Sequence, residues 1–291
     1  MTLEMQNAAP EEIVVGPFRI GRQNPLVLIG GPCVIEPIDT CMRIASEAKD
    51  IAASLGIPYI FKASYDKANR TNIGGYRGPG LENGLNILRR VKEEIGVPVT
   101  SDVHEVGQVV PASEVLDLIQ IPAALCKQVD LLLAAGSTGR PVNIKKGQWM
   151  APEEMAAAVG KARAAGASQV AVTERGTSFG YGDLVVDMRS FRRMQCALRV
   201  PVIFDGTHSV QRPGKAFGSS GGDPEYIVPL VRSAVAAGCE GLFIEVHPNP
   251  TSAPSDGKNM LPLDQLGDLL ESALAIRDTL AGHPSAPISK D

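Results

Sequence analysis

Leu26-Val27-Leu28-Ile29 runs into Gly30-Gly31-Pro32-Cys33, and the fold turns on this motif. A short apolar, β-branched run ends abruptly on a residue able to bind or react. The same event recurs along the chain. Tyr59-Ile60-Phe61 ends on Lys62, Pro98-Val99-Thr100 leads to Asp102 and His104, and Leu118-Ile119 ends on Gln120. Val142-Asn143-Ile144 stops at Lys145, and Val170-Ala171-Val172 leads to Glu174 and Arg175. Val202-Ile203-Phe204 leads to Asp205 and His208, and Leu242-Phe243-Ile244 to Glu245. Each run suits a strand buried on both faces, and longer amphipathic stretches separate the runs.

Helices are predicted over 40–55, 80–95, 105–112, 125–137, 152–165, 183–197, 223–237 and 263–280. Several end on a glycine that enters the next strand, as at Leu55-Gly56, Ile95-Gly96, Ala165-Gly166 and Ala237-Gly238. Eight strand–helix units imply an α/β fold, a (β/α)8 TIM barrel whose polar residues ring one mouth. A doubly wound open sheet is the alternative. It uses few strand ends for chemistry, and Gly-Gly-Pro-Cys is not the G-x-G-x-x-G fingerprint of a dinucleotide site. Ile13-Val14-Val15-Gly16-Pro17-Phe18-Arg19-Ile20-Gly21 reads as a short N-terminal β-hairpin capping the base. The expected organisation is a disordered N-terminus over 1–12, a single (β/α)8 domain with its hairpin over 13–281, and a disordered tail over 282–291.

A hydrophobic fraction of 44% with 21% charged residues suits a globule with a sizeable core. A net charge of −4 argues against a nucleic-acid or anionic-membrane surface. Five cysteines without a C-x-x-C spacing point to reduced thiols. Residues 1–12 lack the apolar core of a signal peptide, and no apolar stretch approaches the ~20 residues of a spanning helix. A soluble cytoplasmic protein is expected.

Three constellations carry chemistry. Cys33, His208, Glu245 and Asp256 follow the first, seventh and eighth strands, which are neighbours once a barrel closes. A thiolate, an imidazole and two carboxylates suit one divalent ion, whether zinc, iron, manganese or cobalt. Taken singly, Cys33 reads more often as buried filler, and Asp256 equally as a turn residue. Lys62, Lys145 and Arg175 form the second set, and cations around one mouth suit a polyanion bearing phosphate and carboxylate. Their bland alternative is a structural network with Asp102, Glu174 and Asp205. The third is the long polar loop 63–80, read as a binding loop, with the glycine-rich stretch 212–222 as a mobile lid.

These residues resemble a known family. Phe61-Lys62-Ala63-Ser64-Tyr65-Asp66-Lys67-Ala68-Asn69-Arg70 is similar to the signature of the 3-deoxy-D-manno-octulosonate 8-phosphate synthases. So are Tyr76-Arg77-Gly78-Pro79-Gly80, Ser101-Asp102-Val103-His104-Glu105, Arg175-Gly176 with Phe179-Gly180-Tyr181, and Phe243-Ile244-Glu245 with His247-Pro248. The resemblance implies a homotetrameric barrel that condenses phosphoenolpyruvate with D-arabinose 5-phosphate, releases phosphate and feeds lipopolysaccharide synthesis. By motif, Lys62, Ser64, Gln120, Lys145 and Arg175 would hold phosphoenolpyruvate. Lys67, Asn69, Arg70 and Thr71 would hold the sugar phosphate. Cys33, with His208, Glu245 and Asp256, matches the metal-dependent branch; the other branch has asparagine in place of the cysteine.

Catalysis is expected of Lys62, Lys145, Arg175, Asp102 and His208. Asp102, His104 and Asp205 are candidates for moving protons or for holding the groups in front of them. Lys127 stands where relatives carry an arginine that reaches a neighbouring subunit's sugar phosphate, and a lysine lacks that bidentate fork. The competing reading is a 3-deoxy-D-arabino-heptulosonate 7-phosphate synthase, which takes erythrose 4-phosphate, but its acceptor loop normally reads Lys-Pro-Arg-Thr-Ser. A reading of another class is a non-catalytic, metal-stabilised phosphosugar sensor on the same barrel.

Overall fold

The computed structural model describes residues 11–68, 74–179, 182–213 and 221–282. Eight parallel strands form a closed ring: Val27–Gly31, Tyr59–Lys62, Val99–Asp102, Leu118–Ile121, Val142–Lys145, Val170–Glu174, Val202–Asp205 and Gly241–His247. Each pairs with the next, and the eighth closes on the first through Leu242 beside Leu28 and Phe243 beside Ile29. The (β/α)8 barrel read from the sequence is therefore the fold. Every residue of these eight strands is buried, because one face meets the barrel interior and the other meets helices.

The hairpin forms as predicted, with Ile13 opposite Ile20 and Val15 opposite Phe18. Ile13, Val15 and Ile20 pack in one cluster with the inward-facing Val27, Ile29, Ile60, Leu118, Ala171, Ile203 and Phe243. The hairpin thus plugs the base of the barrel, and its apolar face completes the interior below the polar mouth.

The helices are Ile38–Ser54, Leu81–Arg90, Val106–Val115, Val129–Gly136, Met155–Ala164, Arg189–Leu198, Ile227–Ala236 and Leu266–Gly282. Several start later than predicted. Ala123–Leu125, Pro152–Glu154, Pro224–Tyr226 and Leu263–Gln265 are single 3₁₀ turns that lead into the helices. The largest correction lies after the sixth strand, where Leu184–Val185 was expected inside a helix. It is instead a short strand, pairing Leu184 with Ser178 and Val185 with Thr177. Val91–Ile95 continues the second helix as a π turn and ends on Gly96 in the left-handed region, φ 73°, which a glycine enters without steric cost.

The first strand needs its second glycine. Gly31 has φ 153°, and a Cβ there would lie 2.2 Å from the Lys62 carbonyl oxygen. That close approach sets the end of the first strand against the second and leads the chain to Cys33. Pairing then continues beyond the strands proper in a bridge between Val34 and Ser64.

Candidate active site

The C-terminal ends of the strands open into a cavity of about 780 Å³. Lys62, Lys67, Asp102, His104, Lys145, Arg175, His208 and Asp256 line it. The cations expected from the sequence therefore share one space with two of the expected ligands, His208 and Asp256.

Lys62 projects from the end of the second strand and is fully buried. Its Nζ donates to Ser64 Oγ at 3.0 Å and to Glu245 Oε1 at 3.2 Å, with Asp102 Oδ2 at 3.5 Å. Asp102 also accepts from Ser64 Oγ at 2.7 Å and from Gln120 Nε2 at 2.8 Å. Burial alone would raise the pKa of Asp102, but Lys62, Lys145 and Lys67 outweigh it and hold the carboxylate far below its usual range. Asp102 is thus a fixed anion. Ser64 and Gln120 lie in the layer behind the cavity wall, each bonded to Asp102.

Lys145 reaches up from the fifth strand. Its Nζ donates to Asp205 Oδ2 at 2.5 Å and lies 3.5 Å from His208 Nδ1. Beneath it lies Phe243, whose ring centroid is 3.7 Å from Lys145 Nζ and 5.2 Å from Lys62 Nζ. Burial lowers the Lys145 pKa, and Asp205 opposes that shift. Asp205 also faces His208 Nδ1 at 2.7 Å. Burial works against the Asp205 anion as well, but His208 and Lys145 hold its pKa well below the usual carboxylate range.

Arg175 is buried and donates through Nη2 to Gln211 Oε1 at 2.8 Å. Its Nη1 is buried with no partner among the described residues, so one arm of the guanidinium is free for an anion. The neighbouring Glu174 does not compete for that arm. Glu174 Oε1 accepts from the Arg175 and Gly176 backbone N–H groups at 2.9 and 2.7 Å and sits 3.3 Å from Lys146 Nζ. His104 Nδ1 is likewise buried without a partner, and burial lowers its pKa and favours the neutral ring.

Beside Lys62, Cys33, Glu245 and Asp256 place one donor atom each within 4.8 Å of one another. Cys33 Sγ lies 3.0 Å from Ser255 Oγ and 3.3 Å from Asp256 Oδ2. Burial and the charge of Glu245 push the Cys33 thiol well up. Burial opposes the Glu245 charge, yet His208, Lys67 and Lys62 bring its pKa down to about 2. Asp256 sits at φ 46°, a left-handed turn that aspartate tolerates and that turns its carboxylate toward Cys33. The donor set fits a divalent ion: a thiol and two carboxylates converge, and Glu245 Oε2 is buried without a partner among the described residues. His208 stands at the edge of the cluster, with Nε2 3.5 Å from Glu245 Oε1.

Lys67, assigned from the sequence to the sugar phosphate, lies beside this cluster, 3.8 Å from Glu245 Oε1. Asn69, Arg70 and Thr71 lie outside the described residues, as does the 214–220 part of the glycine-rich stretch. Gln211–Arg212 and Gly221–Gly222, flanking that part, pair as a small antiparallel ladder. Lys127 is exposed and does not line the cavity.

A family model described as the DAHP synthetase I family matches residues 4–279. A relative from Desulfotalea psychrophila is 53% identical over 258 residues, spanning 89% of this chain and 92% of the relative. One from Pelobacter propionicus is 55% identical over 265 residues (91% and 97%), and one from Geotalea daltonii 54% over 266 (91% and 97%). Each is named 2-dehydro-3-deoxyphosphooctonate aldolase, a synonym of the synthase family that the motifs resemble. The chain belongs to the 2-dehydro-3-deoxyphosphooctonate aldolases of the DAHP synthetase I family.

Several groups at this aldolase mouth escaped the sequence reading. Phe243 reads as core in an apolar run, and nothing in that run signals two ammonium groups over its ring. Gln211 gives no local signal. Asn143 does give one: a polar residue alternating with Val142 and Ile144 points into a polar interior. It donates to Gln120 Oε1 at 3.0 Å and accepts from Thr173 Oγ1 at 2.9 Å. The resulting chain, Thr173 to Asn143 to Gln120 to Asp102, ties four adjacent strands together beneath the cavity.

Proposed function

We propose that this chain condenses phosphoenolpyruvate with D-arabinose 5-phosphate and water, giving 3-deoxy-D-manno-octulosonate 8-phosphate and inorganic phosphate. The observation that carries this reading is one cavity lined by Lys62, Lys145, Arg175, His208 and Asp256, with Asp256 joining it to the thiol–carboxylate cluster of Cys33 and Glu245. The names of relatives that match about nine-tenths of the chain support it.

In this reading Lys62, Lys145 and the open arm of Arg175 neutralise the carboxylate and phosphate of phosphoenolpyruvate, which leaves C3 facing the aldehyde carbon. C3 forms the new carbon–carbon bond, water adds at C2, and the hemiketal phosphate expels phosphate by C–O cleavage. Asp102, anchored by Ser64 and Gln120, holds Lys62 in place. Cys33, Glu245 and Asp256 would hold a divalent metal, zinc, iron, manganese or cobalt, with His208 as a further ligand whose ring Asp205 fixes from Nδ1. When bound, that ion supplies Lewis-acid polarisation and orientation at the aldehyde. His104, neutral and with Nδ1 open, lines the same space.

The sugar phosphate is assigned to the loop that carries Lys67, Asn69, Arg70 and Thr71, with Lys127 reaching a neighbouring subunit. A homotetramer accords with the exposed Val106, Val110, Val129 and Leu133 on the neighbouring helices Val106–Val115 and Val129–Gly136. A cytoplasmic location accords with free cysteines, and no helix among the described residues is long and apolar enough to cross a membrane. The test is acceptor choice. Phosphate release from phosphoenolpyruvate should be far faster with arabinose 5-phosphate than with erythrose 4-phosphate. The reverse preference would move the chain to the heptulosonate reading, and ligand binding without turnover would make it a sensor.

A further inference from the structure

The sequence assigns Lys67 to the sugar phosphate, yet its ammonium lies among the groups that fit a metal. Its one ion pair among the described residues is with Glu245 Oε1, at 3.8 Å. Lys62 contacts the same oxygen but is also anchored by Ser64, Asp102 and the Phe243 ring. Among the described residues, no hydrogen bond holds the Lys67 ammonium, which sits in the field of Glu245, Asp256 and Asp102. Its backbone is fixed, with the amide N–H donating to the Arg77 carbonyl at 2.8 Å. Its side chain is largely buried, 11% exposed, and the same residue lines the 780 Å³ cavity.

Converging acid groups in a buried pocket need a cation, since isolated buried anions are costly. Here an internal ammonium supplies part of that charge. A divalent ion entering between Cys33, Glu245 and Asp256 would sit within a few ångströms of Lys67, where like charges repel strongly. The ammonium must then leave, and its stem leads to the cavity it already lines.

We propose that Lys67 is an exchangeable counter-cation of the metal site. Its ammonium stands beside Glu245 until a metal ion enters, and is then released into the cavity to meet the sugar phosphate. The exchange rests on the metal reading above. It makes metal loading and sugar-phosphate binding mutually reinforcing, since a coupling between two sites acts equally in both directions.

The test uses the full chain stripped of metal, as wild type and as Lys67→Met. Cadmium is titrated in, and binding is followed by thiolate-to-metal charge-transfer absorbance, which reports ligation by Cys33. With its competitor removed, Lys67→Met should bind cadmium at least tenfold more tightly than wild type. In wild type, cadmium should increase acylation of Lys67 by acetic anhydride, read by mass spectrometry, and should tighten arabinose 5-phosphate binding. That tightening should vanish in Lys67→Met. Equal or weaker cadmium binding by Lys67→Met, with unchanged Lys67 acylation in wild type, overturns the exchange and leaves the metal reading standing. If Lys67→Met does not fold, the wild-type acylation decides alone. A charge-transfer band absent from both folded proteins overturns the metal reading and the exchange with it.

Discussion

The Lys145 ammonium lies 3.7 Å from the centroid of the Phe243 ring, so the barrel interior supplies an aromatic floor to a buried cation. Lys145 is buried, and the Asp205 carboxylate it pairs with is shared with His208. The ring face adds attraction without adding another charge, and a desolvated cation–π contact is worth about 2 kcal/mol.

Phe243→Leu removes that floor and leaves a void beneath two lysines. A loss of ~1–3 kcal/mol in stability is expected from the void, readable in a urea titration. The catalytic efficiency with phosphoenolpyruvate should fall about tenfold or more, as Lys145 and Lys62 lose their common support. A variant with wild-type kinetics would show that the ring only fills space.

The polar chain beneath the cavity gives a second prediction. Asn143→Leu strands the Gln120 Oε1 and Thr173 Oγ1 atoms in a dry interior. Each orphaned buried group costs about 1–3 kcal/mol, so the denaturation midpoint should drop sharply. Activity should fall further than stability alone explains, because Gln120 no longer holds Asp102 in register. Equal stability of variant and wild type would contradict this role.

Far from the mouth, Glu240 offers a pH dependence. It begins the eighth strand's approach, accepting from Gln195 Nε2 and from the Val202 backbone N–H, both at 2.7 Å. Burial pushes its pKa up from 4.5 to about 7. The folded state therefore binds this proton more tightly than the unfolded chain does. Its stabilising effect is complete below about pH 4.5 and is lost as pH rises through about 7, a change of ~3 kcal/mol. Thermal melts of wild type and Glu240→Gln across that range should differ in slope, with the variant flatter. Parallel curves would show that Glu240 does not titrate there.

How much of this was legible beforehand varies with the physics involved. The eight strands were readable because a barrel buries both strand faces, and β-branched runs such as Val170-Ala171-Val172 declare that directly. The pairing of Leu184–Val185 with Thr177–Ser178 was not readable. So short a strand exists only through its tertiary partner. Cys33, Glu245 and Asp256 were found from strand position, since neighbouring strand ends must converge at one rim. The direction of Lys67 was beyond sequence, because a long flexible stem can serve either of two anionic neighbours. Phe243 was hidden for the opposite reason: an inward aromatic in an apolar run looks like ordinary core.

The most direct test of the whole account is phosphate release from phosphoenolpyruvate on adding arabinose 5-phosphate, measured for native, chelator-stripped and metal-restored protein. Release that depends on the aldose, disappears on stripping and returns with one equivalent of divalent metal is the predicted result. Full activity in the stripped protein, or release that ignores the aldose, would contradict it.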